Sequence, residues 1–348
     1  MSISLLQRLI ETPSFSREEI ETANKIEKYL QNNQVKTHRI ENNIWTFNKY
    51  FDENLPTILL NSHHDTVRPV EGWTRDPFKP SHEDGKIYGL GSNDAGASLV
   101  GLINAFLFFY NHKNLKYNLL LAATAEEEIS GANGIALLLK NLPPNLHIAF
   151  GIVGEPTNMQ MAIAEKGLMV VDAVAHGKAG HAAREEGINA IYVALKDIEK
   201  IINYKFPKIS PLLGAVKMSV TQIEAGRQHN VVPDHCRFVI DVRSNECYTN
   251  NEIFDILKPM LQSDMQARSF RLNSSQISEN HPFILGGRHL GLSTFGSPTL
   301  SDQSLMNFET VKIGIGDSAR SHTADEFVFE SEILEGCALY IKLLEQIL

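Results

Sequence analysis

Apolar residues at the start of the chain, Ile3, Leu5, Leu6, Leu9 and Ile10, are spaced by three and four, which predicts an amphipathic first helix. A second stripe, Ile20, Ala23, Ile26 and Leu30, follows Ser16-Arg17-Glu18-Glu19, which reads as a capping box opening a second helix. Residues 57–61 are a short apolar run followed by turn chemistry, hence a buried strand. A loop rich in Gly, Pro and Asp runs from about residue 65 to 94, and a helix follows to about 111. A strand at 117–123, a helix near 132–140 and a strand at 148–153 continue the alternation. Strand and helix in turn predict an α/β layer with helices on both faces.

The pattern changes after Gly167. Strands are predicted at 168–175, 216–223, 236–242 and near 269–272, with helices at 189–202 and 251–261. Four strands and two helices make an α+β unit, residues 167–276, inserted between residues 1–166 and 277–348 of the larger domain. The last part adds a strand at 311–315 and a final helix at 331–348.

The 348 residues, 43% hydrophobic and 21% charged, exceed what one core usually organises, in keeping with two domains. Lys+Arg 32 against Asp+Glu 41 gives a net charge of −9 without a basic block, which argues against a nucleic-acid partner or an acidic membrane surface. The apolar stretch 99–110 is too short to span a bilayer. Glu11 and Pro13 interrupt the first helix too soon for a secretory signal. Cys236, Cys247 and Cys337 are odd in number and show no CxxC spacing, so they read as buried thiols of a cytoplasmic protein.

Five polar motifs fall where strands end, the edge on which open α/β sheets place their sites. His63-His64-Asp65 follows the first strand; a His there suits a structural hydrogen bond as well as a metal, and a nearby carboxylate can fix its tautomer. Asp94, at the end of Gly89-Leu90-Gly91-Ser92-Asn93-Asp94, reads either as a helix N-cap or as a carboxylate bridging two metals. Glu126-Glu127-Glu128 follows an apolar strand, and burying such a run is costly unless cations neutralise it. That arrangement leaves one Glu as ligand and its neighbour as general base. Glu155, restricted by Pro156, ends another apolar strand, and His322 lies in Ser321-His322-Thr323-Ala324-Asp325-Glu326. Together His63, Asp94, Glu128, Glu155 and His322 make a ligand set for two zinc ions, with cobalt or manganese as alternatives.

These residues, in this order, resemble the M20 metallopeptidase and amidohydrolase family, which includes acetylornithine deacetylase, succinyl-diaminopimelate desuccinylase, aminoacylase and glutamate carboxypeptidases. The resemblance covers essentially the whole chain. It implies a zinc-peptidase-like catalytic domain with a mixed sheet and an inserted, ferredoxin-like lid and dimerisation domain. By the same resemblance His63, Asp94 and Glu155 hold one zinc, and Asp94, Glu128 and His322 the other. Glu127 matches the general base and Asp65 the partner of the first His. His181, in His176-Gly177-Lys178-Ala179-Gly180-His181, resembles the lid His that reaches into the partner subunit's site and stabilises the oxyanion. Asn230 and Arg243 match substrate-binding positions, although Asn230 also suits a turn and Arg243 a pair with Asp241. One departure stands out: the family usually continues Met-Lys-Gly after the bridging Asp, and here the chain reads Ala95-Gly96-Ala97.

The implied activity is hydrolysis of an N-acyl amino acid by a homodimer. Gly85 to Asp94 and Ala164 to Met169 carry a likeness to short bacterial acetylornithine deacetylases. The expected substrate is therefore N2-acetyl-L-ornithine, or an acetyl or succinyl derivative of ornithine or citrulline, in arginine biosynthesis. The alternatives are a desuccinylase of lysine biosynthesis, a dipeptidase, or a metal-free binding protein that has kept the fold.

Overall fold

Every residue of the strands Thr57–His63 and Asn118–Thr124 is buried, the mark of strands covered on both faces. Their side chains alternate. Ile58, Leu60, Leu119 and Leu121 join one core with Leu99, Leu102 and Phe106 of the helix Ala97–Phe109. Leu59, Leu120 and Ala122 meet Ile135 and Leu138 of the helix Ile135–Asn141 on the opposite side. The period of two thus builds both helical layers from one sheet.

The computed structural model describes residues 2–348. The chain divides into two units, and the larger holds the chain up to Ile163 together with Gln276–Phe295 and Ser301–Leu348. Its sheet runs His38–Ile40, Asn43–Phe47, Asn118–Thr124, Thr57–His63, Ile148–Val153, Thr310–Lys312 and Met161–Glu165. The three central pairings are parallel and those outside them antiparallel, so the sheet is mixed as expected. Because Thr57–His63, Asn118–Thr124 and Ile148–Val153 are mutually parallel, their C-terminal ends share one edge.

The smaller unit is Ala164–Ser275 with Gly296–Leu300. Its sheet order is Lys217–Ala225, His235–Arg243, Met169–His176, Asp264–Ala267, antiparallel throughout. With the helices Ala190–Asn203 and Asn250–Leu257 it has the β-α-β-β-α-β order of a ferredoxin-like fold. Asn189 caps the first helix through the Ile191 N–H, and Thr249 with Glu252 forms a capping box at the second.

Several local expectations differ from what folds. The strand expected near 269–272 is Asp264–Ala267, and the hairpin His38–Phe47, the strand Met161–Glu165 and the helix Pro282–His289 carried no clear period. Ser16 does not cap the second helix: its hydroxyl donates to Asp65 Oδ2 at 2.7 Å, and Glu19 reaches back to the Arg17 N–H at 2.6 Å. All three cysteines are free, with Cys247 only half-buried. Among the described residues no helix is long and apolar enough to cross a membrane.

Candidate metal centre

The edge shared by the three parallel strands gathers the polar residues. His63 is the last residue of its strand, Glu126 to Glu128 follow Thr124, and Glu155 lies two residues beyond Val153. Asp94 comes from the turn before the helix Ala97–Phe109, and His322 follows the short turn Ser318–Arg320.

His63 donates from Nδ1 to the Asp65 carbonyl oxygen at 3.0 Å, which turns Nε2 toward the surrounding carboxylates. Nε2 lies 3.3 Å from Asp94 Oδ1, 3.7 Å from Glu155 Oε1 and 3.9 Å from Glu127 Oε2. His322 Nε2 lies 3.0 Å from Glu128 Oε2 and 3.6 Å from Asp94 Oδ2. The two oxygens of Asp94 therefore face different imidazoles. His64 is set apart from its neighbour: Nδ1 meets the Thr22 hydroxyl and Nε2 the Asn42 carbonyl, both at 2.9 Å, and burial pushes it down to about 4.

Asp65 does more than accompany His63. Its carboxylate accepts the Glu127 N–H at 3.0 Å and the Glu128 N–H at 3.2 Å, and stands 3.5 Å from His63 Nδ1. The imidazole is held mainly by the Asp65 carbonyl, whereas the Asp65 carboxylate sets the turn that presents the two glutamates. Glu126 accepts from the Asn133 N–H and side-chain amide at 3.1 and 2.9 Å, closing the same loop.

Burial raises Glu127 well above its ordinary value despite His63 beside it, and raises Glu128 as well. Burial also lifts Glu155 to about 8, with Asp94 adding to the effect of desolvation. His322 is drawn up to about 9 by its hydrogen bond to Glu128. Burial pushes Asp94 upward, and the contacts with His63 more than reverse it. Excess negative charge is packed here beyond what two imidazoles offset. Moreover, Glu155 Oε1 is buried and accepts no hydrogen bond from the described residues. Two His and three carboxylates with an unsatisfied oxygen among them are the donor chemistry of divalent cations, and His63 lies close enough to Asp94 and Glu128, and to Glu127 and Glu155, for either group to hold an ion.

The remaining expected residues lie in the smaller unit. Gly180–His181 pairs antiparallel with Val231–Val232, and the Ala182 N–H donates to the Asn230 carbonyl at 3.0 Å, which brings His181 and Asn230 together on one two-stranded sheet. The Ala183 N–H donates to His181 Nδ1 at 3.1 Å, so Nε2 carries the ring proton. Arg243 is paired with Asp241 through Nε at 2.9 Å and Nη2 at 3.1 Å.

Close to the candidate ligands, the sequence left Glu326 and Asp302 without a role. Glu326 accepts three backbone N–H groups of the loop that ends in Asp94. Asp302 accepts from the Thr124 hydroxyl at 2.9 Å, and burial lifts it to about 7. Glu326 stood four residues after a candidate ligand, a usable signal; the spacing around Asp302 carries none.

The sequence profile of Peptidase family M20/M25/M40 matches residues 59–346. Succinyl-diaminopimelate desuccinylase of Corynebacterium glutamicum is 27% identical over 342 residues, covering 93% of this chain and 90% of that protein. Acetylornithine deacetylase of Buchnera aphidicola subsp. Schizaphis graminum is 28% identical over 282 residues, covering 75% and 72%. In fold the chain is similar to the crystal structure of aminopeptidase PepT from Bacillus cereus, with a TM-score of 0.78 at 20% identity over 99% of this chain and 98% of that one.

Proposed function

The chain belongs to peptidase family M20/M25/M40, and on that premise we propose that it is a two-zinc amidohydrolase that removes an acyl group from the α-nitrogen of an amino acid. The observation that carries this reading is the Asp94 carboxylate, with one oxygen toward His63 and the other toward His322. His63, Asp94 and Glu155 would hold one ion, and Asp94, Glu128 and His322 the other. A divalent pair bound there supplies an acidified water and polarises the acyl carbonyl.

The chain's own groups move the proton. Glu127 accepts it from the attacking water and passes it to the departing amine, a task suited to a carboxylate whose basicity burial has raised. Asp65 holds Glu127 at its post through the backbone N–H. His181 donates its Nε2–H to the oxygen that gains charge. Arg243 exchanges Asp241 for the substrate α-carboxylate, for which its planar fork is suited, and Asn230 lines the same substrate. The smaller unit serves as lid and as the interface of a homodimer, and a monomer with full activity would overturn that.

The proposed substrate is N2-acetyl-L-ornithine or a related acetyl or succinyl derivative of ornithine or citrulline, within arginine biosynthesis. The likeness to the Buchnera deacetylase supports it. The likeness to the Corynebacterium desuccinylase makes succinyl-diaminopimelate the competitor. The test is amine release from a panel of these compounds and dipeptides by metal-loaded protein, with Glu127→Ala as control. Turnover of an ornithine or citrulline derivative, reduced about 10²–10⁴-fold in the variant, is expected. Turnover of only diaminopimelate or dipeptide substrates overturns the substrate and keeps the chemistry.

A further inference from the structure

Three backbone amides beside Asp94 share one acceptor. The Gly91 N–H donates to Glu326 Oε2 at 3.0 Å, and the Asn93 and Asp94 N–H groups donate to Oε1 at 2.8 and 2.9 Å. Glu326 is 2% exposed, and its carbonyl oxygen accepts the Gly89 N–H at 3.0 Å. A carboxylate buried at this depth is sustained by charge-assisted hydrogen bonds, and both of its oxygens are given to a single loop.

The lacing also runs the other way. Asn93 Nδ2 donates to the Asp317 carbonyl at 3.0 Å and to Ser321 Oγ at 3.3 Å, and Asn93 Oδ1 accepts the Asp317 N–H at 2.9 Å. The loop Gly91 to Asp94 and the segment Asp317 to Glu326 are thus bound reciprocally. One ends in the bridging carboxylate and the other carries His322. We propose that Glu326 is a positioning residue of the metal centre: by holding the Asp94 backbone it fixes the distance between the two halves of the Asp94 bridge and His322, and so the spacing of the ions. This rests on the two-metal reading above.

A neutral amide cannot replace the carboxylate. Glutamine offers one acceptor oxygen and turns an NH₂ group toward the remaining N–H, leaving a buried donor facing a donor. The neighbouring Asp325 makes a useful contrast. It accepts from the Thr74 N–H at 3.0 Å, the Thr74 hydroxyl at 2.6 Å and the Arg75 N–H at 3.3 Å, bracing the same segment without holding the Asp94 loop.

The experiment is calorimetric titration of Zn²⁺ into the metal-stripped full-length chain, comparing wild type, Glu326→Gln and Asp325→Ala. Wild type is expected to take up two ions. Glu326→Gln is expected to bind the weaker of the two about 10–100-fold less tightly, and Asp325→Ala to match wild type in both. Two ions at wild-type affinity in Glu326→Gln overturn the assignment of Glu326, as does equal weakening in Asp325→Ala, which would mark a general bracing effect. Fewer than two ions in the wild type overturn the two-metal reading itself. If circular dichroism shows Glu326→Gln unfolded, Glu326→Asp, which keeps the charge but retracts it by one methylene, is judged by the same outcomes.

Discussion

Glu126, Glu127 and Glu128 are the same side chain three times over, and their surroundings separate them. Glu126 is turned back onto Asn133, Glu128 toward His322, and Glu127 toward His63. The sequence showed that such a run after an apolar strand needs neutralising. It did not show that the Asp65 carboxylate would hold the turn, since that depends on Glu127 and Glu128 N–H groups brought in from the adjacent parallel strand. Asp65→Asn keeps the His63 carbonyl contact and weakens the grip on those amides. We expect kcat to fall about 10–100-fold with metal content retained, checked by steady-state kinetics alongside metal analysis. Unchanged kcat would reduce Asp65 to a structural turn residue.

At the scale of elements, legibility followed the strength of the local period. The strands Thr57–His63, Asn118–Thr124 and Ile148–Val153 announce themselves as apolar runs because both faces are covered. Asp264–Ala267 does not, for its four residues are two polar and two small or flexible, and its place is dictated by pairing with Met169–His176. The sequence likewise marked His322 without showing what holds its segment. Gly316 has φ +97°, and a Cβ there would lie 2.3 Å from Asn93 Oδ1. Gly316→Ala is therefore expected to destabilise by about 1–3 kcal/mol, read as a lowered thermal midpoint. A midpoint equal to wild type would show that the Asn93 contacts yield without cost.

The molecule as a whole carries a pH dependence set by its buried acids. Burial raises Glu155 to about 8, and Glu128 raises His322 to about 9. A metal-free folded chain then binds more protons than the unfolded chain between roughly pH 5 and 9, so stability falls as pH rises through that window. The contribution is complete below the ordinary carboxylate and imidazole values and lost above the raised ones. We expect the thermal midpoint of stripped protein to decline across this range. Divalent ions should remove most of the decline and release protons on binding at neutral pH. A flat profile in stripped protein contradicts the charge balance described here.

The divided Asp94 carboxylate also bears on how the protein is made. His63, Asp94, Glu128 and Glu155 leave the ribosome well before His322, and Glu326 emerges later still. A nascent chain can present His63, Asp94 and Glu155 while His322, which faces the second Asp94 oxygen, is not yet synthesised. The contacts of the second Asp94 oxygen are consequently made late, and they tie early and late parts of the sequence together. On the two-metal reading proposed above, the supply of divalent ions would set how firmly the folded state is held, through mass action on the native state.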